Sequence, residues 1–432
     1  MILAIVLFAI TYVLMLIFSK YRTLIALGSG LIFLISGMLP FDLNLIMSVG
    51  DSGAVIDFNV LLMIAGTMGL VQLFIESKMP ALLADLVMSK VPNVQMAAVS
   101  LALFAGIISA FVDNVATVLM VAPVALAICK KLDTNPVPFI IGIAVSSNLQ
   151  GAATLVGDTT AIMLGSYAEM SFLDFFWYKG RPSIFFAVEL GAILSALILA
   201  WLFRKEKNAI EKSGERTVVT DYVPTILLGA SILFLIIASF IPEKPAITNG
   251  LICVAMFVVG LVYSCIKKKD IKAVVDPLKA IDFETIGLLF GLFLIIGGLT
   301  NMGVIDEVAG LLAKLGGGNP FLLYTVIVWA SVIISAFIDN IPYVATMLPV
   351  VTTLAVVMEI DPTILYFGLL SGATLGGNCT PIGASANITG IGILRKEGYT
   401  VKNSDFFRIG IPFTLAAIVP AYIYFWLVYG NV

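Results

Sequence analysis

Two aspartate–asparagine pairs lie inside apolar stretches and are the residues best suited to bind an ion. Residues 109–123 read SAFVDNVATVLMVAP, and residues 335–349, found 226 positions later, read SAFIDNIPYVATMLP, with seven of fifteen positions identical. The pairs are Asp113-Asn114 and Asp339-Asn340. Ionisable residues within a membrane are costly and mark ion or substrate pathways. Their oxygens suit a hard cation such as Na⁺, or a proton. The alternative interpretation is that each aspartate caps the following helix.

A second motif repeats at the same offset and predicts interrupted helices. LQGAATLVG (149–157) is matched by LGGNCTPIG (375–383), in which Leu, Gly, Thr and Gly coincide. Glycine lets the backbone unwind and approach an ion closely, and the exposed helix ends offer partial charges to a ligand. Close helix packing through small residues is the alternative. We predict helix breaks centred on residues 146–151 and 372–378.

The two halves differ next to this second motif. Asp158 corresponds to Ala384 in the repeat, and Asn387 corresponds to Ala161. Such inequality is expected if the ligand is asymmetric. The polar and glycine residues of the motifs form the candidate ion- and substrate-binding site, which consists of Asp113, Asn114, Thr117, Asn148, Gly151, Thr154, Asp158, Asp339, Asn340, Thr374, Gly377, Asn378, Thr380 and Asn387.

The composition predicts an all-α polytopic membrane protein. Hydrophobic residues make up 60% of the chain and charged residues only 12%, whereas about a quarter of a soluble protein is charged. The chain has no histidine, so proton chemistry must use carboxylates and a histidine metal site is excluded. The net charge of −3 offers no basic face for nucleic acid. The four cysteines lack metal-like or disulfide-like spacing.

Long apolar runs predict ten crossings and two re-entrant helical hairpins. Two runs, 97–130 and 319–358, carry the Asp-Asn pairs near their middles and are too long for one helix. Residues 77–92 and 302–316 resemble surface-lying amphipathic segments. The crossings are predicted at about 2–18, 23–39, 57–75, 136–168, 184–203, 222–241, 246–266, 282–300, 363–394 and 409–430. The first run is interpreted as a retained helix rather than a signal peptide.

The distribution of basic residues predicts the orientation. With both termini outside a plasma (inner) membrane, 20 of the 24 lysines and arginines fall on the cytoplasmic side, as the positive-inside rule requires. Each half then has five crossings plus one hairpin, and because five is odd the second half is inverted. The predicted units are an N-terminal repeat (1–203), a cytoplasmic linker (204–221) and a C-terminal repeat (222–432).

The charges inside the apolar runs restrict the ligand. No arginine or lysine lies deep in any apolar run, which favours a cation or a neutral solute over a multivalent anion. The chain has no Walker-type motif, so ATP hydrolysis by this chain itself is not expected. The protein is expected to be a transporter and not an enzyme. No cofactor is expected beyond a coupling ion, Na⁺ or H⁺.

Four stretches resemble the ion transporter superfamily. They are SAFVDNVATVLMVAPVALAICKKL, NLQGAATLVGDTTAIM, SAFIDNIPYVATMLPV and LGGNCTPIGASANITGIGILRKEGY. The resemblance is strongest to the group that holds arsenite permeases, NhaD-type sodium/proton antiporters and the melanosomal P protein. In relatives that carry carboxylates, the hairpin tips read Ser-Asn-Thr and bind sodium and substrate. Here the tips read Asp113-Asn114-Val115 and Asp339-Asn340-Ile341, which favours the arsenite, antiporter and P-protein side.

These observations predict a secondary active transporter that works by alternating access in a lipid bilayer. The expected substrate is a small ion or oxyacid, carried by arsenite-type efflux or by Na⁺/H⁺ antiport. The alternatives are cation-coupled uptake of an organic anion such as a di- or tricarboxylate, and a channel of the same fold. A homodimer is a further expectation.

Overall fold

The computed structural model describes residues 1–42, 45–46, 55–209 and 216–430, and these residues are nearly all helical. Apolar helices of this kind keep every backbone N–H and C=O bonded within the segment, which a bilayer demands. The linker residue Lys212 and the last residue, Val432, lie outside the described residues.

The N-terminal half contains nine α-helices and one short β-hairpin within the described residues. The hairpin pairs Trp177–Tyr178 with Arg181–Pro182. The helices are α1 (Ile2–Ile17), α2 (Arg22–Ile35), α3 (Phe58–Glu76), α4 (Met79–Met88), α5 (Val94–Ser109), α6 (Asn114–Lys131), α7 (Val137–Gly151), α8 (Thr159–Tyr167) and α9 (Ile184–Leu202).

The C-terminal half repeats this order, and within the described residues it has ten α-helices. Its helices are α10 (Val223–Ser239), α11 (Thr248–Lys268), α12 (Lys272–Lys279), α13 (Phe283–Asn301), α14 (Val304–Gly316), α15 (Pro320–Ser335), α16 (Asn340–Val357), α17 (Thr363–Gly376), α18 (Ser385–Lys396) and α19 (Asn403–Tyr429). Single 3₁₀ turns span Ser19–Tyr21, Leu173–Phe175 and Gly377–Cys379.

The outer helices of each half pack against the other half. Helix α3 packs on α11, and its repeat counterpart α13 packs on α2. Both contacts need glycine: a Cβ on Gly66 would lie 2.5 Å from the carbonyl carbon of Cys253, and a Cβ on Gly291 would lie 2.5 Å from that of Ala26. Gly66 and Gly291 occupy equivalent positions in the two repeats. The same close helix–helix contact therefore occurs twice, and each time it joins one half to the other.

The interrupted helices form the centre of the molecule. Every residue of α17 is buried, as is every residue of α7 except Pro138. Helix α7 packs on α5, and α17 packs on α15. Each hairpin therefore packs against one interrupted helix.

The predicted fold class is confirmed: the chain is an all-α membrane protein of two inverted repeats with hairpins and discontinuous helices. Among the described residues, seven helices are each long and apolar enough to cross a membrane, namely α3, α6, α9, α11, α13, α16 and α19. Shorter apolar helices and the interrupted pairs supply the other predicted crossings. The division at residues 203 and 221 stays a prediction.

Candidate functional site

The hairpin tips are tight turns that end in an aspartate. Helix α5 ends at Ser109 and α6 starts at Asn114, with Asp113 as its N-cap. The Asp113 Oδ1 atom accepts the N–H groups of Val115 and Ala116, at 3.0 and 3.1 Å. Asp339 caps α16 in the same way through Ile341 N–H, at 3.1 Å. Capping is thus a real role of both residues, but in each case it uses only Oδ1.

The helix breaks lie just after the predicted positions. The chain leaves helical geometry at residues 152–158 and, after a 3₁₀ turn, at 380–384. Residues 146–151 and 372–376 are still helical, contrary to the prediction. Gly151 and Gly377 serve close packing at the helix end rather than unwinding, since a Cβ on Gly377 would lie 2.6 Å from the carbonyl oxygen of Gly383. Gly151 and Gly377 therefore mark the ends of α7 and α17.

Each break is fixed to its hairpin tip by the same two contacts. The Thr154 hydroxyl donates to the carbonyl of Ala110, and the Thr380 hydroxyl donates to the carbonyl of Ala336. A Cβ on Gly383 would lie 2.8 Å from the carbonyl oxygens of both Ser335 and Ala336, and Gly157 is in the same position in the first half. Each tip and its break therefore form one unit.

A chain of buried amides joins the two units. Asn114 Nδ2 donates to Asn148 Oδ1 at 3.0 Å. Asn148 Nδ2 donates to the carbonyl of Thr374 at 2.6 Å and to Asn378 Oδ1 at 3.1 Å. Asn378 Nδ2 in turn donates to the carbonyl of Val145 at 2.9 Å. Asn148 and Thr374 are equivalent in the repeat, so their contact lies at the pseudo-two-fold axis.

Asp158 lies beside this amide chain and is 4% exposed. It caps α8, with Oδ1 accepting Thr159 N–H at 2.7 Å and Oδ2 accepting the Thr160 hydroxyl at 2.9 Å. The Thr160 hydroxyl lies 3.0 Å from that of Thr374. Asp158 is thereby connected to both halves.

The other predicted residues divide into cavity-lining and supporting ones. Asn340 is 3% exposed and lines the central cavity. Asn387 instead supports the second break, because Nδ2 donates to the carbonyls of Gly377 at 3.0 Å and Thr380 at 3.1 Å. Thr117 is fully buried, and its hydroxyl donates to a tip carbonyl, that of Val112, at 3.4 Å.

A cavity of about 250 Å³ lies between the two units and α3 and α13. Its lining includes three carboxylates, those of Asp113, Asp158 and Asp282, and no lysine or arginine among the described residues. Such a lining repels anions and attracts a cation or a proton. No cluster of three or more metal-ligating side chains occurs in the described parts of the chain, so a bound Na⁺ would also need amide and carbonyl oxygens.

A larger cleft of about 430 Å³ lies near the end of the first hairpin, around Lys130, Asp133 and Tyr399. It is open to the surface, and none of the candidate site residues named from the sequence lines it. We therefore place the candidate site in the smaller cavity, which is lined by residues of both Asp-Asn pairs.

The two tip aspartates have different partners. Asp339 Oδ2 lies 2.6 Å from Arg22 Nη1 and accepts the Ser385 hydroxyl at 3.1 Å. In the described structure no basic side chain pairs with Asp113. The sequence did not predict the Arg22 contact, because Arg22 stands between two apolar runs and was assigned to a cytoplasmic turn.

Sequence reasoning also missed Asp282. It is the N-cap of α13, and it accepts both the N–H and the hydroxyl of Thr285, at 3.0 and 2.6 Å. A signal was present: the tripeptide Ile-Asp-Phe occurs at 56–58 and again at 281–283. Asp57 and Asp282 are thus a second repeated pair of carboxylates, at an offset of 225.

Comparisons with known proteins agree with this architecture. A 46 kDa membrane protein of Mycobacterium leprae is 36% identical over 325 residues, or 74% of each chain. An uncharacterized transporter of Mycobacterium tuberculosis is 34% identical over 334 residues, or 76% of each chain. The human P protein is 27% identical over 73% of this chain and 46% of its own length.

A solved structure and a family model complete the comparison. The YdaH transporter of Alcanivorax borkumensis superimposes with a TM-score of 0.60 at 12% identity, covering 86% of this chain and 85% of that one, which shows the fold. The model of the family CitMHS, described as citrate transporter, matches residues 12–276 and 252–432. The protein is therefore a multi-pass membrane transporter, not an enzyme, and it belongs to the CitMHS citrate transporter family of the ion transporter superfamily.

Proposed function

We propose that this protein is a secondary active transporter whose coupling ion, Na⁺ or H⁺, binds at the carboxylates of the central cavity, and that it works as a Na⁺/H⁺ antiporter. The observation that carries the proposal is the cavity lining, with three carboxylates and no basic side chain among its described residues. Proton and Na⁺ would compete for the same oxygens, which is what an exchanger requires.

Asp113 is the strongest candidate for the coupling site. Its Oδ1 atom is engaged by helix capping, and no described group donates to Oδ2. The Asn114 side chain and the tip carbonyls are further oxygen donors next to it. A monovalent cation held by Asp113, Asn114 and these carbonyls would resemble the oxygen sites that hard cations prefer.

Alternating access would follow from the division of the molecule into two parts. The hairpins and breaks (α5–α8 and α15–α18) are bound to each other through hydroxyl and amide contacts. The helix pairs that join the two halves, α3 with α11 and α13 with α2, form the surrounding part. Movement of the first part as a unit, by an elevator-like or rocking motion, would expose the cavity to one side at a time.

Two other substrate classes fit particular observations. A small oxyacid such as arsenite is mostly neutral near pH 7, so carboxylates would not repel it. An organic anion such as citrate is suggested by the description of the family, and it would need a co-bound cation to approach Asp113 and Asp158. A channel fits less well, because inverted hairpins favour alternating access over a continuous pore.

Purified protein in proteoliposomes tests the proposal. An imposed inward Na⁺ gradient should alkalinise the lumen without added solute, because Na⁺ that enters is exchanged for H⁺ that leaves. Flux of arsenite or of citrate that depends on an ion gradient, with no solute-free exchange, would replace antiport by the corresponding alternative. Single-channel currents would indicate a channel.

We further propose that the protein lies in the plasma (inner) membrane with both termini outside, and that it forms a homodimer. Its proposed partners are lipid and a small ion or solute, with no nucleic acid and no organic cofactor. The basic-residue distribution supports the orientation.

A further inference from the structure

The ion pair between Arg22 and Asp339 connects the outer part of the molecule to the second hairpin tip. The side chains of Arg22 and Asp339 are 25% and 14% exposed, and the Nη1–Oδ2 distance is 2.6 Å. Near the same tip, the Tyr12 hydroxyl lies 2.7 Å from the carbonyl of Pro342 and 2.6 Å from the Thr346 hydroxyl. Helices α1 and α2 therefore hold this hairpin by side-chain hydrogen bonds.

Arg22 is in an electrostatically unusual place. It is the first residue of α2, where the helix dipole disfavours a cation. Asp339 is the N-cap of α16, where the dipole favours an anion. The Asp339 carboxylate thus lies where the N-termini of α2 and α16 meet. Its negative charge offsets the unfavourable interaction of the Arg22 guanidinium with the dipole of α2.

The first hairpin tip lacks this arrangement. Helix α11, which corresponds to α2, begins with Thr248-Asn249-Gly250, none of which is basic. The nearest basic residue in sequence, Lys244, donates to the carbonyl of Ala238 at 3.2 Å. Asp113 lines the cavity, whereas Asp339 binds Arg22 instead. Of the two equivalent tip carboxylates, Asp339 is thus neutralised by a basic side chain of the protein and Asp113 is not.

We propose that Arg22 is an internal counter-ion that occupies Asp339 in this conformation and competes with the coupling cation for it. A carboxylate that already holds a guanidinium offers a cation neither net charge nor a free Oδ2 atom. Of the two tip aspartates, only Asp113 then binds the cation, and Asp339 becomes available only when the second hairpin moves away from α2. This inference rests on the proposed cation coupling.

Sodium-dependent thermal stability of the purified protein tests the inference. Melting temperatures are measured in NaCl and in choline chloride of equal ionic strength, at one pH. Removing the counter-ion in Arg22→Gln should expose a second site, so that the sodium-induced rise is about twice that of the wild type, since each site stabilises the folded state independently. Arg22→Lys keeps the charge and should behave as the wild type does.

The double variant identifies the new site. Adding Asp339→Asn to Arg22→Gln should return the sodium-induced rise to the wild-type size. An unchanged rise in Arg22→Gln would overturn the inference and leave the pair as a structural clamp. If Arg22→Gln does not fold, Asp339→Asn alone decides: it should keep the wild-type rise, and loss of that rise would overturn the inference.

The same data separate this inference from the proposed function. A wild type without any sodium response would contradict cation coupling at Asp113. A response that then appeared in Arg22→Gln and vanished with Asp339→Asn would still support the role of Arg22.

Discussion

Individual aspartates in this molecule differ mainly in what neutralises them. Among the described residues, five aspartates are helix N-caps: Asp57, Asp113, Asp158, Asp282 and Asp339. Of the two at the hairpin tips, one has an arginine partner and the other lines the cavity without a base. Because a cap needs only one oxygen, a capping aspartate can also bind a cation with the other.

Asn148 is the residue whose loss should uncouple the two halves. In Asn148→Ala, Asn114 and Asn378 each lose a buried partner, and unmade buried hydrogen bonds cost about 1–3 kcal/mol each. We expect a lower melting temperature and loss of transport in proteoliposomes.

The matched control is Asn59→Ala, which also removes buried amide contacts, to Ser166 at 3.2 Å and to the N–H of Gly250 at 2.8 Å. It should lower stability to a similar extent and leave transport measurable. Equal loss of transport in both variants would mean that general destabilisation, and not the amide chain, is responsible.

Sequence reasoning succeeded with residues that stand out within apolar runs and failed with residues at their ends. The repeats pointed to Asp113, Asn114 and Asn148, and the structure brings these three together. Arg22 contacts a residue 317 positions away, and no local pattern encodes such a partner. Asp282 was overlooked because its repeat has an offset of 225 rather than 226.

Among the elements, each interrupted helix depends on a glycine that faces the hairpin tip. A Cβ on Gly383 would lie 2.6 Å from the carbonyl oxygen of Gly377 and 2.8 Å from two tip oxygens. Gly383→Ala should therefore separate the break from the tip, at a cost of roughly 1–3 kcal/mol for overpacking. A melting temperature measured in detergent should fall.

Gly392→Ala is the control in the following helix, where no atom lies within 4 Å of the added Cβ. It should be neutral or stabilise the protein by up to about 1 kcal/mol, because alanine favours a helix. If Gly383→Ala melts at the same temperature as Gly392→Ala, the proposed close contact at the break is wrong.

The positions of the elements were largely predictable, and their ends were less so. Hydrophobic runs and the two motifs predicted the hairpins and the interrupted helices. The predicted break centres begin a few residues before the observed breaks, because polar residues such as Ser146, Ser147 and Asn148 indicate an unwound segment from the sequence alone. Those polar residues remain helical, since their side chains bond to the hairpin and to the other half, as Ser147 does to the Asn114 carbonyl at 3.0 Å.

For the whole molecule, orientation in the membrane is a prediction that chemical labelling can test. Lys268 and Lys314 are both exposed, and the charge distribution places them on opposite sides. In a Cys265→Ser background, Lys268→Cys should react with an impermeant maleimide only from the cytoplasm. Lys314→Cys should react only from outside. Labelling of both from one side would contradict the inverted arrangement of the halves.

The inverted repeat gives the molecule two equivalent sites, and its sequence differences make them unequal. Only the N-terminal half contributes an unpaired tip carboxylate together with Asp158 to the cavity. We therefore expect ion coupling to depend on Asp113 more than on any other residue. Repeat symmetry predicted both sites, and the exchange of Asp158 for Ala384 indicated that they differ, but the Arg22–Asp339 pair was found only from the contact between the halves.

Sodium-driven proton flux in proteoliposomes that contain Asp113→Asn tests the central claim most directly. Asparagine retains the helix cap but removes the charge, so the fold should persist and the flux should fall to that of protein-free vesicles. Asp57→Asn, which alters an equivalent cap on α3, should keep the wild-type flux. If Asp113→Asn still exchanges Na⁺ for H⁺ with unaltered dependence on both ions, the cavity carboxylate is only a cap and the account is contradicted.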